Sequence, residues 1–95
     1  MCTIHEAAET EINEAADFYD LRNPGLGTTF IEEVRLAIER IAEFPEAASH
    51  VRGRVRKNPM RGFPYSLVYA VRPDEIRILA VAHHSRRPFY WRGRQ

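Results

Sequence analysis

The chain has 95 residues, of which 44% are hydrophobic and 28% are charged, a composition that predicts one globular domain over residues 1–95 and excludes a disordered chain. The longest apolar stretch, residues 78–82, is far too short to cross a bilayer, so no membrane partner is expected. Polar residues follow Met1 directly, which shows no secretory signal and predicts a cytoplasmic location. The single cysteine, Cys2, has no partner for an internal disulfide.

The net charge of +1 conceals a division of charge along the chain. Residues 1–50 hold eleven acidic and three basic side chains, whereas residues 51–95 hold eleven basic and two acidic ones. Thirteen of the fourteen basic residues are arginine, which suits bidentate contact with phosphate or carboxylate. The division predicts either one anionic and one cationic surface, or two halves that neutralise each other where they pack.

The first predicted elements lie in the acidic half. Residues 2–4 are either a short strand or, through Thr3 and Glu6, the start of a capping box. Apolar residues then recur at steps of three and four, which predicts an amphipathic helix over residues 6–21. The pattern stops at the Asn-Pro-Gly sequence of residues 23–25, where a helix would end.

A second amphipathic helix is predicted over residues 27–44. Thr29 and Glu32 fit a capping box near its start, and Pro45 ends it. Because the connection between the two helices is short, they are expected to be antiparallel neighbours.

The basic half changes to a period of two residues. Residues 51–57 alternate loosely and predict one strand, whereas residues 65–71 and 76–82 predict two further strands joined by a turn at residues 72–75. These last two strands are apolar on both faces, as expected of central strands covered on both sides. The order β-α-α-β-β-β predicts an α+β fold, with a helical hairpin packed on a three- to four-stranded antiparallel sheet.

No metal or cofactor site is predicted. His83 and His84 are adjacent, so on a strand their side chains would point to opposite faces and could not hold one ion together. The chain also has no cysteine cluster and no glycine-rich loop of the kind that cradles phosphate.

One group of basic, histidine and aromatic side chains remains at strand ends and loops of the basic half. It comprises Lys57, Arg61, His83, His84, Arg86, Arg87, Tyr90 and Arg92. Such residues can supply the base, the acid and the cations that metal-independent RNA cleavage requires, or they can bind an acidic or nucleic-acid partner. In a third interpretation the arginines stay solvated. Phe89 and Trp91 are expected to pack back onto the sheet.

Four segments, in order, resemble the RelE/ParE superfamily of type II toxins, especially its plasmid-stabilisation branch. They are "EINEAADFY", "NPGLGTTFIEEVRLAIERIAEFP", "VRGRVRKNPMRGFPYSLVYAV" and "IRILAVAHHSRRPFYWRGR". The most specific parts are Phe-Pro-Tyr-x-hydrophobic-x-Tyr at residues 63–69 and His-x-x-Arg-x-Pro-x-Tyr-Trp-x-x-Arg at residues 83–94. The resemblance implies a small toxin, without a cofactor, that forms a hetero-oligomer with a cognate antitoxin.

The resemblance leaves the target open between DNA gyrase, which ParE-like members inhibit, and mRNA on the ribosome, which RelE-like members cut. Lys57, Arg86 and Tyr90 match residues of the cleaving members, but Pro59 and Ser66 stand where those members have a lysine and a phosphate-holding arginine. Losing that arginine should remove much transition-state stabilisation. Gyrase inhibition is therefore the predicted activity, RNA cleavage the second candidate, and a non-toxic interaction module the third; whether the protein is an enzyme stays open. The candidate catalytic or target-binding residues are Lys57, Arg61, His83, Arg86 and Tyr90.

Overall fold

The computed structural model describes residues 1–95 and contains two helices and five strands. Strand β1 spans Cys2–Ile4, helix α1 spans Glu6–Arg22, helix α2 spans Leu26–Glu43, and strands β2, β3, β4 and β5 span Ser49–Arg52, Val55–Pro59, Tyr65–Val71 and Ile76–His83. The α+β class is confirmed, and both helices agree with the predicted ranges to within one residue at each end.

The sheet has the order β1-β5-β4-β3-β2, so it holds one strand more than the largest expected number. All pairs are antiparallel except β1 with β5, which is parallel. A parallel pair needs a long connection, and here the helical hairpin and three strands lie between its members. The expected antiparallel sheet is therefore extended by one parallel edge strand.

Residues 51–57, predicted as one strand, contain the turn of a β-hairpin. Arg52 of β2 and Val55 of β3 form the last pair before the turn, and Gly53 adopts a φ of +55° at the first position of the turn. Glycine adopts positive φ without steric cost, so it is favoured at this position of a two-residue hairpin turn. The prediction was wrong because valine and arginine alternate on both sides of the glycine, which hides the turn.

The predicted capping box of α2 is also wrong. Thr29 and Glu32 lie within the helix, and its start is instead held by Asp20 of α1. The Asp20 carboxylate accepts hydrogen bonds from the backbone N–H groups of Gly25 (3.2 Å) and Gly27 (2.7 Å). One acidic side chain thus joins the end of the first helix to the start of the second, where the helix dipole favours negative charge.

Of the two interpretations for the first residues, the structure shows the strand. Thr3 lies in β1, and its hydroxyl donates to the carboxylate of Glu75, the residue just before β5 (3.0 Å). The cap of α1 is His5, whose Nδ1 accepts from the backbone N–H of Ala7 (3.0 Å).

The helical hairpin covers one face of the sheet. The buried core on this side consists chiefly of Ala8, Ile12, Ala15 and Ala16 from α1, Phe30, Val34, Ala37 and Ile41 from α2, and Leu67, Tyr69, Ile78 and Val81 from the sheet. The Tyr69 hydroxyl donates to the carbonyl of Pro45 (2.7 Å), which ties β4 to the chain after α2, and burial raises the pKa of Tyr69. Neither helix combines the length and apolar character that a membrane span requires.

Strands β4 and β5 are buried on the opposite face as well. Ser66, Val68, Ala70 and Ala80 are all nearly inaccessible to solvent, although none belongs to the helix-side core. The prediction of central strands covered on both sides is therefore confirmed. Because both helices lie on one side, another part of the chain must cover the second face.

We expect Gly27→Ala to lower the free energy of unfolding by about 2 kcal/mol, because the two helices approach each other closely at this residue. An added Cβ would collide with the Ala16 carbonyl oxygen and would lie 2.7 Å from the Asp20 carboxylate. Urea denaturation followed by circular dichroism measures the loss. Thr28→Ala, at the exposed neighbouring position, should change stability by no more than about 0.5 kcal/mol, and equal effects of both substitutions would contradict the close approach.

Candidate functional site

The candidate site lies on the back face of the sheet, which we define as the face opposite the helices. Lys57 of β3 pairs with Val68 of β4, and Ser66 of β4 pairs with Ala82 of β5. Directly paired residues share a face, and neighbours along a strand alternate between faces. Because Leu67, between Ser66 and Val68, belongs to the helix-side core, these four residues all lie on the back face.

The C-terminal tail, residues 84–95, lies against this back face. It leaves the end of β5 through a series of turns, and its Phe89 and Trp91 line the same cavity as Val68 and Ala82. At the far end, Arg77 Nε donates to the carbonyl of Gln95 (3.3 Å), so the tail returns toward the start of β5. The tail is thus the layer that covers the second face of the sheet.

A cavity of about 260 Å³ lies between the tail and the sheet. Four of the five predicted site residues line it, namely Lys57, His83, Arg86 and Tyr90, together with His84 and Arg87. Arg61 does not line it, because this exposed residue lies in the loop between β3 and β4. Lys57 is the only Lys or Arg that the strands contribute to the cavity, so its other permanent positive charges come from the tail.

The hydroxyl group of Tyr90 is already engaged within the protein. It donates a hydrogen bond to Glu11 Oε2 of helix α1 (2.8 Å), and the Arg86 guanidinium stacks on its ring, 3.8 Å from the centroid. Burial, followed by the bond to the Glu11 carboxylate, raises the pKa of Tyr90 far above its ordinary value. The phenol therefore stays protonated at neutral pH and is a hydrogen-bond donor, not a base.

The adjacent histidines diverge, as predicted. His84 Nε2 lies 3.0 Å from the hydroxyl of Ser66 on the back face. The His83 ring packs edge-on against the ring of Tyr65, with centroids 4.9 Å apart, and its Nδ1 accepts from the backbone N–H of Ser85 (3.0 Å). No three histidine, cysteine or carboxylate side chains come together in a group that could hold a metal ion.

Ser66 of strand β4 lines the cavity. The residue is only 5% exposed, and its hydroxyl is paired with His84. At this position the strand therefore presents a small neutral group that cannot reach a phosphate as a long cationic side chain would.

The two aromatic residues of the tail differ in environment. Trp91 is half-buried against the cavity, but Phe89 is 41% exposed, so the expectation that both pack onto the sheet is wrong for Phe89. Phe89 also has a φ of +61°, a conformation that costs a residue with a Cβ about 1–2 kcal/mol. The guanidinium of Arg52 lies 5.5 Å from its ring centroid. The tail thus presents an exposed ring among arginines.

Two residues that contact this site were missed in the sequence. Glu11 accepts the Tyr90 hydroxyl, and Arg94 pairs with Glu11 through both of its terminal nitrogens (3.0 and 3.1 Å). Glu11 looks like any other acidic residue of an amphipathic helix. Its spacing could have indicated that it lies close to the core. Glu11 is three residues after Ala8 and four before Ala15, which places it beside the buried residues of α1.

Comparisons with known proteins agree with this architecture. Residues 3–88 match the family model described as the ParE toxin of the type II toxin–antitoxin system, parDE. A solved structure described as the chromosomal ParDE TA system from P. aeruginosa has a similar fold, with a TM-score of 0.69 and 16% sequence identity over 86% of this chain and 92% of that chain. A search of curated protein sequences finds no significant match.

We expect Tyr90→Phe to lower the free energy of unfolding by about 1–2 kcal/mol at neutral pH, because a hydrogen bond to a carboxylate is lost. The pKa of Tyr90 is higher in the folded than in the unfolded protein, so the wild type keeps this contribution below about pH 10 and loses it as the pH rises further. Urea denaturation of both proteins across alkaline pH measures the difference. A difference that stays constant through strongly alkaline pH would contradict the raised pKa.

Proposed function

This chain belongs to the ParE toxin family of type II toxin–antitoxin systems, and on this basis we propose that it inhibits DNA gyrase and is neutralised by a cognate antitoxin. The observation that carries the choice of target is the small, buried and paired Ser66 in the cavity lining, where RNA-cleaving relatives would have an arginine. The proposal therefore assigns the tail and cavity rim to protein contact instead of catalysis.

The chemistry of the cavity supports this choice over RNA cleavage. Metal-independent cleavage through the 2′-hydroxyl needs a base, an acid and cations around the phosphate. Tyr90 is held protonated on Glu11 and so cannot serve as the base, and Lys57 is the only Lys or Arg that the strands contribute to the cavity. RNA cleavage remains the second candidate because Lys57, Arg86 and Tyr90 do line one cavity.

The surface of the tail is suited to binding a protein. Arg86 and Arg87 are exposed beside the exposed ring of Phe89, and arginine and aromatic residues are enriched among the residues that dominate protein interfaces. We define Lys57, Arg86, Arg87 and Phe89 as the cationic rim. Such a rim would also steer the protein toward an acidic surface of its target.

A separate surface supports the proposed antitoxin complex. Large apolar residues of the helical hairpin are exposed, notably Leu21 at 88% and Phe18 at 47%. Phe18 borders a second cavity of about 280 Å³ between α1 and β5, which Tyr65 and Val81 also line. A groove of this kind between a helix and a sheet can accept an amphipathic helix or an extended segment of a partner chain.

The proposed target is tested with purified gyrase and a translation extract in parallel. We expect the wild-type protein to inhibit DNA supercoiling without cutting mRNA. Replacing both Arg86 and Arg87 with alanine should weaken the inhibition by about tenfold or more, because charged anchors at the rim are lost. Stability should fall by only about 1 kcal/mol, through loss of the Arg86 stacking on Tyr90.

The matched control is Arg35→Ala, which removes an exposed arginine that pairs with Glu32 and Glu39 on helix α2. This variant should behave like the wild type in both assays. Cleavage of mRNA with normal supercoiling would establish the second candidate instead. A protein with neither activity would be the non-toxic module.

We expect Leu21→Ser to weaken binding of the antitoxin by about tenfold, because this side chain is a large exposed apolar group on the surface proposed to bind the antitoxin. The probe is the product of the gene adjacent to the one encoding this chain, with affinity measured by calorimetry. The free energy of unfolding should change by no more than about 0.5 kcal/mol. Unchanged affinity for Leu21→Ser would place the antitoxin on another surface.

A further inference from the structure

Strand β5 continues beyond its partner strand at the edge of the sheet. β1 pairs with β5 only through residues 76–78, so the following backbone groups face outward without a neighbouring strand. Two side chains supply the missing partners. Glu11 Oε1 accepts from the backbone N–H of Val81 (3.0 Å), and Arg94 Nη1 donates to the carbonyl of Leu79 (3.0 Å). A carboxylate and a guanidinium thus take the place of an adjoining strand.

The same two side chains bind each other. Arg94 Nη1 lies 3.0 Å from Glu11 Oε1, and Arg94 Nη2 lies 3.1 Å from Glu11 Oε2. The Arg94 side chain is only 19% exposed and the Glu11 side chain only 14%, so the pair is largely shielded from water. With the bond from the Tyr90 hydroxyl (2.8 Å), Glu11 accepts four hydrogen bonds, which fills the capacity of a carboxylate. Three of the four come from the tail.

The tail needs such an anchor because its backbone is strained. Phe89 has a φ of +61°, and a bulky residue keeps that conformation only where its surroundings hold it there. The next residue, Tyr90, and then Arg94 are both bound to Glu11, so the chain after Phe89 is fixed to helix α1. On the other side of Phe89, Arg86 stacks on the Tyr90 ring.

We infer that Glu11 is the positioning residue of the C-terminal tail: through Tyr90 and Arg94 it fixes the conformation in which Arg86 and Phe89 stand at the cationic rim. Glu11 does not itself belong to that rim. The part of this inference that concerns activity rests on the proposed function, in which the rim contacts the target. The part that concerns conformation stands on the four hydrogen bonds alone.

The test compares wild type, Glu11→Gln, Arg94→Ala and the double variant by hydrogen–deuterium exchange of the full chain. Glutamine keeps the size of the side chain but cannot accept both arms of the guanidinium. We expect amides in residues 84–95 to exchange about tenfold faster in each variant, while helix α2 and strand β4 keep wild-type protection. The double variant should loosen the tail by less than the two single effects combined, because both substitutions remove the shared contact between Glu11 and Arg94. Glu9→Gln, an exposed change in the same helix, is the control and should match the wild type.

Gyrase inhibition measured on the same samples should fall with the loss of tail protection. Unchanged exchange of the tail in Glu11→Gln, or equally faster exchange throughout the protein, would overturn the inference. Inhibition at the wild-type level despite a loosened tail would overturn the part of the inference that concerns activity. If the wild type does not inhibit gyrase, the proposed function fails, and the exchange pattern alone still decides whether Glu11 positions the tail. Should Glu11→Gln not fold, Arg94→Ala and Tyr90→Phe test the same contact from the tail.

Discussion

The burial of strands β4 and β5 on both faces is the constraint on which the rest of this structure depends. A chain of 95 residues with two helices can place its helical hairpin on only one side of the sheet, because the short link between the helices keeps them adjacent. The second face, with Val68 and Ala80, would be left in water if nothing else covered it. The C-terminal tail covers part of it. The tail is therefore a structural layer first, and the cavity lies between this layer and the sheet.

The contact between Glu11 and Arg94 also explains how the two oppositely charged halves of the chain meet. Of the ion pairs in the structure, this is the one that crosses from the acidic half to the basic half; the others lie within helix α2 or within the turn before β5. The two interpretations of the charge division thus apply to different residues. Arg94 is neutralised where the halves pack, whereas Arg86 and Arg87 stay exposed and form a cationic surface. Placing the neutralising pair at a sheet edge shields it from water, and that shielding strengthens its attraction.

The state of the candidate side chains bears on what the site can do. Proton transfer needs groups that are free to exchange a proton with a substrate, but here the Tyr90 hydroxyl is bound to Glu11 and His84 is paired with Ser66. Residues held by one another in this way make a rigid surface, which reduces the entropy that ordering a binding site would cost. A solved structure that is only 16% identical in sequence has a similar fold, so the same framework accommodates very different sequences. Function therefore has to be argued from the rim and the cavity, and not from the fold.

The sequence by itself determined those features that local periodicity encodes. Both helices, strand β4 and the antiparallel return of β5 follow from steps of three to four or of two residues, and the adjacency of His83 and His84 in the chain was enough to predict that their side chains diverge. The predicted elements also put Lys57, Arg86 and Tyr90 at strand ends or loops of the basic half, and the structure gathers all three at one cavity. Only the tertiary structure decided the parallel pairing of β1, the exclusion of Arg61 from the cavity, the exposure of Phe89 and the engagement of Tyr90 by Glu11. All four features depend on contacts between residues that are far apart in the chain; Glu11 and Tyr90, for example, are 79 positions apart. The energies that select such contacts come from packing and desolvation across the whole domain, and no local sequence pattern records them.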